Sequence, residues 1–446
     1  MIKKILIANR GEIAERIIRT CKKLAIETVA IYSEVDEGLN YVQMADEAYS
    51  LGEASVNESY LNIEKIIMIA KKAKVDAIHP GYGFLSENGD FAYACEREEI
   101  IFIGPKADVL EKMGDKIFAR KLMKDNDIPI IPGSVGRVNN VTEAIDIANE
   151  LNYPVMLKAS AGGGGIGMET VHTDEALEKV FENNAKRAEM FFGESSMFIE
   201  KLIPNARHIE VQILADKHGH VVHLFERECS IQRRNQKIVE EAPSLSISQK
   251  IKEKMFQASL EIAKALQYTG VGTIEFLVDE EENFFFLEMN TRIQVEHPVT
   301  EEITGVDIVK QQIDIASGKP LQLQQKDISQ KGHAVEMRIY AEHPETFFPS
   351  PGKITKMKIP GGQNIRHELT YQEGDEVTHF YDPMIGKLIV HGKTREDTLL
   401  KLRESLQEYE IEGIHTNISV LKFIIEHEDF NQGHIFTNFI TKNYLS

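Results

Sequence analysis

The sequence lacks any apolar run near the roughly 18 residues that a membrane-spanning helix needs. It also lacks a charged-then-apolar leader: Ile2 to Ala8 is too short and opens a strand instead. Neither export nor membrane insertion is expected, and the expected location is cytoplasmic. Cysteine is scarce. Cys21, Cys95 and Cys229 are odd in number and have no metal-ligand spacing, which excludes a disulfide framework and suits a reducing compartment. Cys229 reads as a buried, inert thiol. Positive charge is also in deficit. Fifty-one Lys and Arg stand against 70 Asp and Glu, and the net charge of −19 argues against a nucleic-acid surface. There is no repeat and no low-complexity tract. The 446 residues suggest about three domains.

The first part alternates short apolar strands with helical patterns. Strands are expected at Ile5–Ala8, Thr28–Tyr32, Ala77–His79 and Ile101–Ile103, and helices at Gly11–Leu24 and Tyr60–Ala73. That order predicts a parallel sheet with crossover helices. Pro129, Pro132 and Gly133 mark a break into a region of two strands and helices, and Lys319-Pro320 and the polar 322–332 stretch mark another. From His333 short strands dominate, followed by helices at Arg395–Tyr409 and Ile418–His427. The fold class is α/β and α+β.

The most informative stretch is Glu288-Met289-Asn290-Thr291-Arg292-Ile293-Gln294-Val295-Glu296-His297-Pro298. On an extended strand its even positions, Glu, Asn, Arg, Gln and Glu, share one face. Upstream, Thr273–Val278 and Phe284–Glu288 flank an acidic turn and read as a β-hairpin. Pairing Asp279 with Phe284 puts Glu275 opposite Glu288, where like charges repel unless a cation lies between them. Those two carboxylates and the amide oxygen of Asn290 are hard ligands suited to Mg²⁺ shared with phosphates. Fully extended, Glu288 to Glu296 would span about 26 Å. The segment must therefore bend, so that Arg292, Gln294 and Glu296 surround a second ligand. An Arg, an amide and a carboxylate there suit an anion positioned for attack and a base to deprotonate it.

Phosphates are expected at the glycine-rich turn. A strand at Tyr153–Ser160 runs into Ala161-Gly162-Gly163-Gly164-Gly165-Ile166-Gly167, and Met168–Val171 follows as a second strand. Backbone N–H groups in such a turn can close on phosphate oxygens. Gly162, Gly164 and Gly167 match G-x-G-x-x-G, but a strand follows rather than a helix, so a dinucleotide fingerprint is rejected. No Gly-Lys-Ser/Thr follows either, so the turn is no Walker loop. A flap over a nucleotide fits better. Lys158, embedded in an apolar strand before the glycines, is a candidate phosphate ligand.

Together these pieces resemble the ATP-grasp enzymes, and specifically the biotin carboxylase family. The likeness includes Ile7–Ala14, His79–Asn88, Met113-Gly114-Asp115-Lys116, the glycine flap, Gln232-Arg233-Arg234, Glu240-Glu241-Ala242-Pro243, Glu288–Thr300, His333–Arg338 and Pro349–Ile354. It implies an N-terminal Rossmann-like domain at 1–113, an ATP-grasp domain at 114–331 with a flap subdomain at about 131–203, and a C-terminal mixed β/α domain at 332–446. It also implies roles. Lys116, Lys158, His208 and Gln232 contact ATP, the flap glycines Gly162, Gly163, Gly164, Gly165 and Gly167 close over it, and Glu200 and Leu202 lie near the adenine. Glu275, Glu288 and Asn290 hold Mg²⁺ or Mn²⁺. Lys237, Arg292, Gln294 and the backbone of Val295 bind bicarbonate, and Glu296 deprotonates it. Arg338 steadies the biotin enolate, with Tyr82 and Gly83 near the ureido ring.

The sequence departs from the family pattern at Asn235, where the family usually has a His beside the terminal phosphates. Asn keeps a donor but cannot become cationic. Ala161, Ile166 and Glu169 replace a glycine and two arginines of the flap. The resemblance implies a homodimer, biotin delivered on a separate carrier protein, and carboxyltransferase subunits as further partners. Acetyl-CoA carboxylase in fatty acid synthesis is the expected setting. The rivals are a weakly active, assembly-type paralogue serving another carboxylase, and an ATP-grasp ligase with another acceptor.

Overall fold

The structure, a computed structural model, describes residues 2–159, 168–192 and 195–445. The expected glycine flap, 161–167 with Gly162, Gly163, Gly164, Gly165 and Gly167, lies outside the described residues.

The N-terminal sheet is parallel throughout. Its strand order is Glu47–Gly52, Glu27–Ser33, Lys4–Ile7, Ala77–His79, Ile101–Phe102. The first of these strands was not anticipated. Only Leu51 of its six residues is fully buried, so it has little apolar signal. The helix Gly89–Arg97, capped by the Asn88 side chain, was also missed. Gly11–Lys23 forms because Ile13, Ala14, Ile17, Ile18 and Cys21 recur at helical spacing and all are buried. Gly11 opens this helix at φ +62°, and a Cβ there would lie 2.9 Å from Thr370. Only glycine allows the C-terminal part to approach so closely.

The flap region holds three antiparallel strands rather than two. Met197–Lys201 pairs with Val155–Ala159, which pairs in turn with Met168–Val171. The helices Val141–Leu151 and Asp174–Phe192 accompany them.

An eight-stranded antiparallel sheet carries most of the remaining strands, beside two small two-stranded pairs. Its order is Phe284–Asn290, Gly270–Val278, Arg207–Ala215, Val221–Arg233, Gln236–Ala242, His333–Tyr340, Met384–Gly392, Ile365–Leu369. It runs without interruption across residue 332, so residues more than 100 apart in sequence share one surface. The helices Arg395–Glu408 and Ile418–Glu426 pack nearby, close to the ranges expected. No helix among the described residues is long and apolar enough to cross a membrane.

Candidate active site

The hairpin brings Glu275 opposite Glu288, but not through the pairing expected from the turn. Val278, not Asp279, pairs with Phe284, and a bulge between Glu275 and Phe276 shifts the register back by one. Leu287 is the extra residue. Beyond Glu275 the ladder continues to Glu210 and then Arg227. Four strands thus present Glu288, Glu275, Glu210 and Arg227 in a lateral row.

Lys237 neutralises this row. Its ammonium donates to Glu210 Oε2 at 2.5 Å, Glu275 Oε1 at 2.8 Å and Glu296 Oε1 at 2.7 Å. Burial opposes the charge on Lys237, but the three carboxylates prevail and hold its pKa well above the ordinary value. Arg227, wholly buried, donates to Glu210 Oε1 at 2.5 Å and to Gln294 Oε1 at 2.6 Å. The Gln294 amide also donates to Glu275 Oε1 at 2.6 Å, so both its ends are engaged.

After Asn290 the chain leaves the sheet and turns into the helix His297–Thr304, which supplies the expected bend. Glu296 lies at its start. Arg338 Nη2 meets Glu296 Oε2 at 2.9 Å, opposite the Lys237 contact. Burial pushes the Glu296 carboxyl up. Lys237, Arg338 and Arg227 outweigh it and bring the pKa well below the ordinary value. Arg292 is held by Glu87 Oε2 at 2.9 Å and donates to Asn290 Oδ1 at 2.7 Å. Asn290 Nδ2 faces Glu275 Oε1 at 2.8 Å, so its oxygen is turned to Arg292 rather than to the carboxylate pair.

The His208 ring lies 2.9 Å from Glu275 Oε2, with Gln232 at 3.0 Å from its other nitrogen. Burial raises the Glu275 carboxyl, but Lys237 and His208 more than reverse the effect. Glu288 lines the cleft, where lost hydration and the Glu275 and Glu87 carboxylates push its carboxyl up. An acid beside another acid, raised by that neighbour, fits a divalent cation between the two.

The opposite wall carries Lys116 and Lys158. Asp115 caps the helix Lys116–Asp125 by accepting from Ile117 and Phe118 N–H, which fixes Lys116 at the first helical position. Lys116 donates to Ala159 O at 3.1 Å, and burial and nearby Lys158 lower its pKa. Lys158 pairs with Glu200, which Arg120 also meets at 2.9 Å. Leu202 follows that strand, with its N–H on Pro154 O at 3.2 Å. These side chains and the floor line one cleft of about 670 Å³. A larger cavity of about 920 Å³, beside residues 100–108 and 263–271, contains none of this charge cluster.

Asn235 lies at the cleft edge in the two-residue turn between Val221–Arg233 and Gln236–Ala242. Arg234 and Asn235 have φ of +50° and +63°. A hairpin turn with two positive φ angles is where Asn is favoured. Tyr82 donates to Glu12, which lies 3.1 Å from Lys387. Lys387 donates to Val295 O at 2.8 Å and so orients the peptide expected to bind the anion. Gly83 follows Tyr82 at φ +65° with open space above its Cα.

Several of these residues escaped the sequence reading. Glu210 and Gln212, which accepts from Arg227 Nη1 at 2.8 Å, could have been found from the alternation His208-Ile209-Glu210-Val211-Gln212. Lys387 was visible as a lone cation in Met384-Ile385-Gly386-Lys387-Leu388-Ile389-Val390. Cys229 is buried near Glu210 and Glu296. Burial first, and then Glu210, hold its thiol up and protonated.

Two family models described as biotin carboxylase domains match the chain, the N-terminal domain over residues 1–110 and the C-terminal domain over 336–442. Between them, residues 115–324 match the ATP-binding domain of the carbamoyl-phosphate synthase L chain. Biotin carboxylase 2 of Bacillus subtilis is 56% identical over 443 residues, covering 99% of this chain and 100% of that one. This chain belongs to the biotin carboxylase family. As a member it is an ATP-dependent ligase with the ATP-grasp fold. One pyruvate carboxylase subunit from Methanothermobacter thermautotrophicus is 48% identical, covering 99% of this chain and 90% of that one. The biotin carboxylase domain dimer of Hydrogenobacter thermophilus 2-oxoglutarate carboxylase was solved with MgADP, ADP and bicarbonate. It superposes with a TM-score of 0.96 at 48% identity, covering 99% of this chain and 98% of that one.

Proposed function

We propose that this biotin carboxylase uses ATP to carboxylate biotin with bicarbonate, the biotin being carried on a separate protein. The observation that carries the reading is Glu296 held between Lys237 and Arg338, beside the Glu275–Glu288 pair. Glu296 is ionised but a weak base while both cations bind it. A bicarbonate anion competes for Lys237, Arg338 and Arg292. As they turn to it, Glu296 loses their stabilisation and becomes basic enough to take the bicarbonate proton. The oxygen so freed attacks the γ-phosphorus of ATP, which Lys116 and Lys158 orient with His208 and Gln232, and the β–γ bridging bond breaks to release ADP and form carboxyphosphate. Carboxyphosphate breaks to CO₂ and phosphate, phosphate takes the proton from the ureido nitrogen of biotin, and the enolate so formed captures CO₂ at that nitrogen. Glu200 and Leu202 flank the adenine, and the flap glycines cover the phosphates. Glu275, Glu288 and Asn290 would hold Mg²⁺ or Mn²⁺, which when bound screens phosphate charge. The two carboxylates fit that task, and Asn290 joins once its amide turns from Arg292. Arg338, with Tyr82 and Gly83, orients the ureido ring.

The carboxyl group then passes to a separate carboxyltransferase. Acetyl-CoA carboxylase in fatty acid synthesis is the setting we assign, with a cytoplasmic homodimer as the working form. Pyruvate is the rival acceptor, because a pyruvate carboxylase subunit is so similar over its length. Bicarbonate-dependent ATP cleavage stimulated by free biotin tests the chemistry. Its absence would favour the assembly-type paralogue, the second reading motivated by Asn235. Reconstitution with carrier and transferase subunits specific for acetyl-CoA or for pyruvate separates the acceptors.

A further inference from the structure

Behind Arg338 lies a second carboxyl pair with no part in the scheme above. Glu240, on Gln236–Ala242, stands directly opposite Glu336, on His333–Tyr340. Glu336 and Arg338 are two apart on one strand, so both project from the same face. Glu240 therefore meets both. Glu240 Oε1 accepts from Arg338 Nε at 2.7 Å and lies 2.5 Å from Nη2. Its Oε2 and both oxygens of Glu336 have no hydrogen-bond partner among the described residues. Both glutamates are 0% exposed.

Residues directly opposite on antiparallel strands have Cβ atoms about 4.5–5.5 Å apart, so the two carboxyl groups can touch. Two ionised carboxylates at that separation, out of water and with no donor to three of their four oxygens, are strongly unfavourable. One proton relieves both problems, because a protonated carboxyl is itself a donor. We infer that Glu336 carries this proton and donates it to Glu240 Oε2, and that the singly charged pair is what positions Arg338 against the cleft.

The other charged groups around the pair agree with this assignment. Lys387 faces it from Met384–Gly392, but its ammonium is engaged by Val295 O and Glu12. Glu296 approaches from the loop before its helix and competes for Arg338, and Lys237 lies on the same strand as Glu240. Burial holds the Glu336 carboxyl well above its ordinary value, against the pull of Lys387. Burial also raises Glu240, to about 7, against the pull of Arg338. The inference rests on the proposed carboxylation for its consequence. Bicarbonate binding and then protonation of Glu296 end the hold of Glu296 on Arg338. Glu240 keeps one negative charge on the Nε edge, so the guanidinium stays in place for the ureido ring. As pH falls through the range where Glu240 gains a proton, this hold is lost.

Infrared difference spectra of the whole protein at pH 8, wild type against Glu336→Gln, test the proton directly. The carbonyl band of a protonated carboxylic acid is expected in the wild type and lost in the variant. Identical spectra in that region overturn the inference. This readout needs no turnover, whereas a wild type without bicarbonate-dependent ATP cleavage would overturn the carboxylation reading alone. Kinetics supply the second arm. Glu336→Leu removes the donor to Glu240, and the loss of a hydrogen bond to a charged group lowers the biotin-dependent rate about tenfold. The acid limb of that rate moves up by about one pH unit, since an unsupported carboxylate binds its proton more readily. The apparent KM for ATP stays unchanged. Glu336→Gln, which keeps an N–H donor, restores most of the rate. Equal losses in both variants with no shift of the acid limb would mark a merely structural residue and overturn the inference. If Glu336→Leu does not fold, the infrared comparison still decides.

Discussion

On the floor of the cleft, Lys237 touches three carboxylates and Arg338 bridges two, and all of these but Glu296, at the start of the helix His297–Thr304, lie on a continuous eight-stranded sheet. On the opposite wall, the relation is reversed. Lys158, from a sheet of only three strands, and Arg120, from the helix Lys116–Asp125, converge on a single carboxylate, Glu200, with Lys116 close by. Apart from Glu288, these floor carboxylates are already paired with cations before any ligand arrives. The wall has more cation than anion and lowers the pKa of one lysine with the other. A small anion must therefore compete with carboxylates for its place on the floor, while a polyphosphate relieves repulsion on the wall. On the proposed mechanism, this arrangement lets one cleft bind ATP and keep Glu296 inactive until bicarbonate displaces the cations.

The largest expected effect breaks the floor at its base. Glu296→Ala should lower bicarbonate-dependent ATP cleavage by about 10²–10⁴-fold, the usual range for a lost general base. Nucleotide binding, measured by calorimetry, should survive, because Lys237 still has Glu210 and Glu275. Ordinary turnover in this variant would remove Glu296 from the mechanism.

A buried ion pair away from the cleft shows what the same chemistry does when stability alone is at stake. Glu241 meets His333 Nε2 and Arg395 Nε, each at 2.7 Å. Burial would raise its carboxyl, but Arg395 and His333 bring it down to about 2. A depressed folded pKa means that the pair's stabilisation is present above the unfolded value near 4.3 and is lost as pH falls through about 2. Arg395→Met should cost about 3–5 kcal/mol by removing the guanidinium and leaving the buried carboxylate only the His333 contact. The sign of the pH dependence should also reverse. With burial dominant the folded pKa lies above the unfolded one, so stability falls as pH rises from 5 to 8. Urea unfolding at those two pH values checks this, and a pH-independent loss would refute it.

How much of this was legible in the sequence differs between the two regions. The Glu275–Glu288 pair was readable because strand side chains alternate strictly. Its bulge was not, because Phe284, Phe285 and Phe286 are interchangeable as partners for an apolar neighbour. Glu210 and Lys387 were hidden for a related reason. A polar residue in an apolar strand looks the same whether it faces solvent or a buried charge, until the neighbouring strands are known. The bend after Asn290 followed from length alone. On the wall, Lys158 stood out because it interrupts an apolar run beside glycines. Lys116 did not, since its position depends on Asp115 capping a helix, and the third flap strand carried no turn signal of its own.

Two substitutions compare floor and wall directly. Glu288→Gln on the floor should raise the Mg²⁺ concentration needed for half-maximal rate by about tenfold, equivalent to ~1.4 kcal/mol. Titration of turnover at saturating ATP measures it, and an unchanged Mg²⁺ requirement would exclude Glu288 as a ligand. Lys158→Met on the wall should raise the apparent KM for ATP by a smaller factor, about fivefold, as expected when one charge is lost from a site that retains others. The Mg²⁺ requirement should not move. If the two variants gave the same pattern, the distinction between the regions would fail.

The smallest effect concerns Asn235, at the junction of the two regions. Its φ of +63° in the Arg234-Asn235 turn gives a conformational reason for Asn that has nothing to do with phosphate charge. Histidine is also tolerated in that region, so Asn235→His should fold with the turn intact. The imidazole can become cationic where the amide cannot. If charge at this edge matters, the variant should lower the apparent KM for ATP by up to about threefold below roughly pH 6.5, where an unperturbed His is largely charged, and have little effect near pH 8. Unchanged ATP kinetics from pH 6 to 8 would mean that the turn, not the missing charge, determines this residue. The principal reason to suspect an impaired paralogue would then be gone, because the wall's own lysines would suffice for the phosphates.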